Sequence, residues 1–527
     1  MKSNEMNCGI SLPLLKQFIS FAVFIAGTTT TAYADQLLHT GTYGTREPTV
    51  AIDPANPERV AVSSLWLYSI STNFGNSWLG PFSYPVLPST YFASGDPSFA
   101  FGSNGTLHYS YLSGNSLNSC EVLISQVNAN TGSILSGPSS ISTNAAQGFC
   151  NDKNWIAIDR TNGLYAGRVY AAWSEFAPSP SNEVRLLVKS STNGGSSWSS
   201  ASELANSGPG FPWASHVAVG PNGRVYVAWH EQSGWLQGGS ESWNPNGTSG
   251  RIRIASSDNG GSTWVASYAF QSGAADVTFN VQSNPGNILK TDFWTQGSIQ
   301  PWILPDPLNS QRVWVVAADD PDNSHGSGDD ADVMIVESTN GGISWGTPKR
   351  VDDAPSGVHS FFPTAAIDRT TGRIAVAWYD NRLQTVNAGG NWLFDVYVTL
   401  SDNGQTFRPA YRVSNVSFDP DIGTNNNRYA GPPPTRRMGE YFGVDLQKNL
   451  ALVWTGNNGS QQGVFFDGFR NVATRIRGDI NGDGIVNGVD ITTLFTNWGL
   501  NDLASDLNLN GIVDGGDVGY ILSNWTG

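Results

Sequence analysis

The chain has 527 residues, 28 Lys and Arg against 43 Asp and Glu, and a formal net charge of −15. So acidic a balance argues against nucleic acid or an anionic membrane surface as partner. Only 13% of residues are charged, about half the usual share, while Gly (59) and Trp (19) are abundant, which excludes a helical protein in favour of a turn-rich all-β one.

Residues 1–34 read as a signal peptide: Lys2 and Lys16 precede the apolar run Phe18 to Ala26, and Ala32-Tyr33-Ala34 is a small-x-small cleavage site before Asp35. No other stretch is long and apolar enough to span a bilayer, so the mature chain is expected to be secreted. Its removal takes Cys8 and leaves Cys120 and Cys150, which an oxidising compartment would let pair.

From Glu47 onward the chain repeats one unit: an apolar strand, a turn, a second apolar strand often ending in Ala-Trp, and a third. Units begin near Glu47, Asp96, Asp152, Ser215, Gln300, Phe361 and Glu440. The third strand of four units runs into Ser-x-Asn-x-Gly-x-Ser/Thr-Trp, at Ser71 to Trp78, Ser191 to Trp198, Ser257 to Trp264 and Ser338 to Trp345; a fifth copy, Asp402 to Phe407, is weaker. Ser and Asn can bond the backbone of a tight turn, Gly supplies a positive φ, and Trp anchors the loop. The second unit has a degenerate turn at Asn128 to Gly132 and the seventh has none; Gln36 to Thr42 could supply the seventh's outer strand. These observations predict an all-β seven-bladed β-propeller of four-stranded antiparallel sheets, with six blades as the alternative.

The turn motifs, with strand patterns such as Trp155-Ile156-Ala157-Ile158-Asp159 and Ala375-Val376-Ala377-Trp378-Tyr379-Asp380, resemble the Asp-boxes, or BNR repeats, of the sialidase-like propeller family. The resemblance covers roughly residues 40–470, within an expected domain of 35–470. It implies a glycoside hydrolase with a Tyr nucleophile assisted by Glu, an Asp acid/base, and Arg residues gripping a carboxylate. Arg46-Glu47-Pro48 resembles the family's Arg-Ile-Pro motif, Tyr441 matches the nucleophile, and Arg382 and Arg437 are further carboxylate contacts. Glu440 is expected to point away from Tyr441, leaving Glu231 or Glu175 as its partner. No acid lies between Glu58 and Asp96, so Asp96 stands in for the acid/base residue. A glycan is the expected substrate or ligand, with a non-catalytic glycan- or protein-binding propeller as the alternative.

After a linker at 471–478, residues 479–527 hold two twelve-residue loops. Asp479, Asn481, Asp483, Asn487 and Asp490, and again Asp506, Asn508, Asn510, Asp514 and Asp517, place oxygen side chains at positions 1, 3, 5, 9 and 12. Ile485 and Ile512 offer carbonyls at position 7. This is the pattern that wraps Ca²⁺, so two ions are expected. Each loop enters a short helix with an apolar stripe: Ile491, Leu494, Phe495 and Trp498, then Val518, Ile521, Leu522 and Trp525. The pair resembles a type I dockerin, which implies a cohesin-like or cell-surface receptor. Gly488-Val489 and Gly515-Gly516 replace the Ser-Thr pair that selects common cohesins.

Overall fold

In the computed structural model the second strands are the most buried: every residue of Ile374–Asp380 and Asn449–Asn457 is buried, as is Val60 to Ser64 at the end of Asn56–Ser64. Such strands escape simple polar/apolar alternation because another sheet covers each face. The structure describes residues 35–40, 45–86, 91–116, 119–181, 183–207, 211–232, 250–270, 300–319, 331–420, 422, 438–457, 459–472, 478–480, 485–500, 502, 505–507 and 512–526. The expected signal peptide lies outside them.

The described strands form antiparallel sheets of four. The first comprises Thr49–Asp53, Asn56–Ser64, Leu67–Ser71 and Leu79–Ser83. The second (Phe92–Phe101, Leu107–Ser116, Ser119–Val127, Ile134–Ser140) and third (Cys150–Ile158, Val169–Phe176, Val184–Ser191, Ser202–Asn206) are joined by one parallel pairing, Cys120 with Cys150. The fourth runs Phe211–Val219, Val225–Gln232, Gly250–Ser257 and Val265–Phe270. The fifth runs Trp302–Pro305, Val313–Asp319, Asp332–Ser338 and Lys349–Arg350. The sixth is Ser360–Ile367, Ile374–Asp380, Asp395–Ser401 and Tyr411–Arg412. In the last sheet Gly443–Gln447, Asn449–Asn457 and Gln462–Phe469 are completed by Gln36–Thr40, which pairs antiparallel with Gln462–Phe469, Gln36 opposite Phe466.

One apolar cluster fills each gap between consecutive sheets. Tyr68 and Ile70 meet Tyr109 and Leu123 between the first and second, and Val122 and Ile124 meet Ile156 and Trp173 between the second and third. The series continues through the fourth, fifth and sixth to Tyr379 against Phe442 and Trp454. Ile52 and Val60 of the first sheet then pack on Val453 and Phe466 of the last, so the order of contact closes on itself. Trp173, Trp229, Trp378 and Trp454 occupy equivalent places on second strands and are at most 1% exposed; truncating such a residue to Ala costs about 3–5 kcal/mol.

The repeated turns serve these interfaces. Ser71 Oγ accepts the Gly75 N–H at 2.8 Å, and the same bond recurs from Gly195 to Ser191 and Gly261 to Ser257 (2.9 Å) and from Gly342 to Ser338 (2.8 Å). In the weaker fifth turn the Gly404 N–H donates to Ser401 Oγ at 2.8 Å, across three residues rather than four. Trp78 then packs edge-on to Phe466 of the neighbouring sheet at 4.9 Å, and Trp198, Trp264 and Trp345 rest on the clusters joining their sheets to the ones before.

Helices α1 (Gly488–Thr496) and α2 (Gly515–Ser523) follow, meeting over Ile480, Val486, Leu494, Val513 and Ile521. Only part of the expected stripe is inside: Leu494 and Ile521 are fully buried, while Phe495, Trp498, Leu522 and Trp525 are exposed. With two nine-residue helices the small core is filled by one large side chain from each, and the next apolar turn faces outward.

Candidate functional site

First strands of the sheets begin with a kink. Glu47, Asp96, Lys153, Ala214 and Phe362 all have φ between 48° and 57°, the left-handed region that side chains rarely adopt. Pairing slips at four of these points: between Gly95 and Ser98, Asp152 and Trp155, Trp213 and His216, and Phe361 and Thr364. Each such residue costs on the order of 1–3 kcal/mol and persists only where its surroundings over-determine it. Three precede Pro (Pro48, Pro97, Pro363), which further disfavours helical backbone before it.

The kinks are held by contacts between neighbouring sheets. The Asp96 N–H donates to Glu47 Oε2 (3.4 Å), the Lys153 N–H to Asp96 Oδ2 (2.8 Å), and Ser215 Oγ to the Lys153 carbonyl (3.3 Å). On the other side, a Cβ at Gly439 would lie 2.5 Å from the Glu47 nitrogen. Only glycine fits there.

This arrangement gathers an ionic cluster. Lys153 Nζ lies 3.1 Å from Asp96 Oδ1, bonds the Glu440 carboxylate, and stands over the rings of Tyr441 (5.3 Å) and Trp213 (5.5 Å). Glu47, Asp96 and Glu440 each present a carboxylate oxygen within 4.8 Å of the others. Trp213 Nε1 donates to Asp152 Oδ2 at 3.2 Å. Glu47, Asp96, Lys153, Glu440 and Tyr441 are at most 8% exposed, while Asp152 and Trp155 are half-buried.

Acidities diverge within the cluster. Burial pushes Glu47 up to about 8; Lys153 opposes this, and Asp96 and Glu440 add to it. Burial also acts to raise Asp96, but the Lys153 charge and the hydrogen bonds to its carboxylate overcome it and hold Asp96 at about 2. Asp152 is driven well above the carboxylate range by burial and by the Asp96 charge. Lys153 is raised because Asp96, Glu440, Glu47 and Asp152 outweigh the effect of its burial. Adjacent carboxyls of opposite protonation at neutral pH are what acid/base chemistry needs.

Of the residues expected from sequence, Asp96 and Tyr441 meet at Lys153, and Arg46 immediately precedes the Glu47 kink, 7% exposed, its carbonyl accepting the Leu65 N–H at 3.1 Å. The expected Tyr–Glu pair is not formed. The Tyr441 hydroxyl donates to the Pro97 carbonyl at 3.1 Å, and burial raises it well above an ordinary phenol. Glu231 bonds Arg253 at 2.7 Å, and Glu175 bonds Arg185. Arg382 is engaged by Asp380 and Asp353, both at 2.7 Å, and stacks on Tyr397. Glu440 contacts the same lysine as Tyr441 rather than pointing away, because the strand begins only at Gly443 and the alternation rule does not reach it. Arg437 lies outside the described residues.

Lys153, Glu47 and Glu440 stand at strand starts by the sequence pattern but carry no catalytic role in the expectations. The recurring charged-residue–Pro–Ser/Thr start (Glu47-Pro48-Thr49, Asp96-Pro97-Ser98) was the available signal. The Cys120 and Cys150 sulfurs are 3.2 Å apart, across the pairing that links the second and third sheets.

The C-terminal loops suit a hard cation. Asp479, Asp490, Asp506 and Asp517 are at most 3% exposed, and residues 479–527 contain seven aspartates but no Lys, Arg or His. Carboxylates spaced in this way supply the oxygen ligands that such a cation takes. Asp490 accepts the Ile480 N–H (2.7 Å) and the Asn487 N–H (2.8 Å), drawing the first loop closed, and Asp517 accepts the Asp514 N–H (2.8 Å) in the second. Asn487 and Asp514 cap α1 and α2, and Ile485 and Ile512 are exposed. Asn481, Asp483, Asn508 and Asn510 lie outside the described residues.

No family model matches the chain, and no curated protein does. Among solved structures it is similar to the Penicillium chrysogenum α-L-arabinanase complexed with arabinobiose (14% identity, 57% of this chain and 89% of that one, TM-score 0.34). It is also similar to the polysaccharide lyase Uly1 (11%, 68% and 77%, 0.41) and the Trypanosoma rangeli sialidase (14%, 71% and 54%, 0.36). At TM-scores below 0.5, function has to be argued from this chain's own residues.

Proposed function

We propose that the chain is a secreted, glycan-acting glycoside hydrolase of sialidase-like architecture, its seven sheets arranged as a seven-bladed propeller. The cyclic order of apolar contacts supports the architecture, and the Glu47–Asp96 pair carries the activity. Glu47, protonated at neutral pH, would donate a proton to the leaving oxygen. Asp96, ionised beside Lys153, would face the anomeric carbon. Their carboxylate oxygens lie within 4.8 Å of each other, below the roughly 6.5–9.5 Å gap in which inverting glycosidases hold a water. In this reading Asp96 takes the part that the family resemblance gives to Tyr441, and Arg46 and Tyr441 shape the site. Glycans would approach past Asp152 and Trp155.

The test is turnover of released and synthetic glycans, including sialosides and arabinosides, with product configuration read by NMR. Glu47→Gln and Asp96→Asn should each lower kcat by roughly 10²–10⁴-fold with retained folding. Full activity in folded Asp96→Asn would overturn the assignment.

One observation favours a non-catalytic, glycan- or protein-binding propeller: Lys153 engages both Asp96 and Glu440, and Tyr441 bonds a backbone carbonyl. A cluster so satisfied could serve only to bind the sheets together. In that case the same substitutions would change stability, and no glycan would be turned over.

The C-terminal module would bind two Ca²⁺ ions through Asp479, Asp490, Asp506, Asp517 and their loop partners, and would attach the protein to a cohesin-like or other cell-surface receptor. Among the described residues no helix is long and apolar enough to cross a membrane.

A further inference from the structure

Outside the ionic cluster, a cavity of about 230 Å³ opens on the third sheet, where the connection from the second sheet crosses it. Trp173 and Leu187 give it an apolar lining, and Glu175, Arg185, Lys189, Glu203 and Asn144 give it polar atoms. It is below the roughly 300–1,000 Å³ of sites for drug-sized ligands. Its guest would be no larger than a single sugar ring.

The lining is fixed in advance. Glu175 is 3% exposed, and its Oε1 accepts Arg185 Nε–H at 3.0 Å while Oε2 accepts from the Asn144 amide. Asn151 bonds both Asn144 (3.0 Å) and Trp173 Nε1 (2.8 Å), tying the connection to the floor. Lys189 donates to the Ile141 carbonyl at 2.8 Å and lies 5.8 Å from the Trp173 ring.

Charge decides the class of guest. Two carboxylates and two cations line the space, so their formal charges cancel, and Arg185 is already neutralised by Glu175 and approached by Glu203 at 3.8 Å. An anion would meet Glu175 and Glu203; a cation would meet Arg185 and Lys189. A zwitterion gains little where each charge already faces its opposite. A neutral polyol can donate hydroxyl protons to the acids and accept from the cations without placing a charge beside either.

We infer that this cavity is a second carbohydrate subsite, taking one neutral sugar residue on the third sheet apart from the Glu47–Asp96 pair. It does not depend on that pair being catalytic. Ala201 lies at its mouth and is exposed, so Ala201→Trp would block entry without disturbing the core.

The experiment is saturation-transfer NMR on the full chain with L-arabinose, D-galactose, N-acetylneuraminic acid and glycine as separate probes. A neutral sugar should bind with millimolar affinity, in preference to the acid and the zwitterion, and should weaken by roughly tenfold or more, about 1.4 kcal/mol, in Ala201→Trp and Arg185→Met. Turnover at the Glu47–Asp96 pair, if present, should not change in Ala201→Trp. No sugar binding, preference for N-acetylneuraminic acid or glycine, or undiminished sugar binding in folded Ala201→Trp would each overturn the inference.

Discussion

Lys153 grips both oxygens of Asp96: its ammonium stands 3.1 Å from Oδ1 while its own N–H donates to Oδ2 at 2.8 Å. One residue of the third sheet thus holds a carboxylate of the second, and its bond to Glu440 brings in the approach to the last sheet. Replacing Lys153 by Met would leave these buried acids uncompensated, and breaking a buried pair costs about 3–5 kcal/mol. Urea unfolding should show a loss of that size, partly recovered when Asp96→Asn is added. A loss under about 1 kcal/mol would place the stabilising contacts elsewhere.

Stability should depend on pH through two groups of opposite sign. Glu47, at about 8 when folded, keeps a proton that the unfolded chain releases near its ordinary value of 4.5, so its contribution declines as pH rises from about 4.5 to 8. Asp96, at about 2 when folded against 3.8 ordinarily, adds stability as pH rises through that interval. Thermal melts from pH 2 to 9 should show both limbs, and Glu47→Gln should flatten the alkaline one.

The buried histidines steepen acid loss. Burial lowers His216 and His230 to about 3 and His39 and His108 to about 4. The unfolded chain takes up these protons below about 6.5, so each contribution is lost as pH falls from there. Conservative replacement of His230 by Gln should shift the acid midpoint of unfolding downward.

Cys120 and Cys150, paired across the second and third sheets, should give no reactive thiol in protein recovered from an oxidising compartment and two after reduction under denaturing conditions. The closed loop would contribute about 3–4 kcal/mol. Equal urea midpoints for oxidised protein and Cys120→Ser/Cys150→Ser would count against the bond.

Removing calcium with a chelator should loosen α1 and α2 and alter the emission of the exposed Trp498 and Trp525, with recovery on adding Ca²⁺. Asp490→Ala should abolish the response of the first loop, because that carboxylate also closes the loop through Ile480. An unchanged spectrum throughout would remove the metal from the account.

Much of the fold was legible because its signals are local. The Ser–Asn–Gly–Trp turns and the apolar second strands repeat, and both have direct physical counterparts in the Ser71–Gly75 type of bond and the buried Trp173 series. The site was legible only by position. Strand counting brought Glu47, Asp96, Asp152, Lys153, Glu440 and Tyr441 to comparable strand starts, but not their partners. Which carboxylate takes Lys153 depends on left-handed kinks at Glu47, Asp96 and Lys153, and nothing in alternation forecasts a positive φ at a charged residue. Glu231 and Arg382 are held by cross-strand or nearby partners, Arg253 and Asp380, which strand counting does not forecast.

The pairing of Gln36 with Phe466 makes the last sheet a joint product of an early and a late strand. During synthesis the early strand must wait, unpaired, until nearly everything after it has been made. Late assembly of this kind favours slow maturation and leaves open sheet edges available to other molecules in the meantime. Duplicating Gln36–Thr40 as a detached peptide therefore offers a way to trap the newly made protein just short of closure.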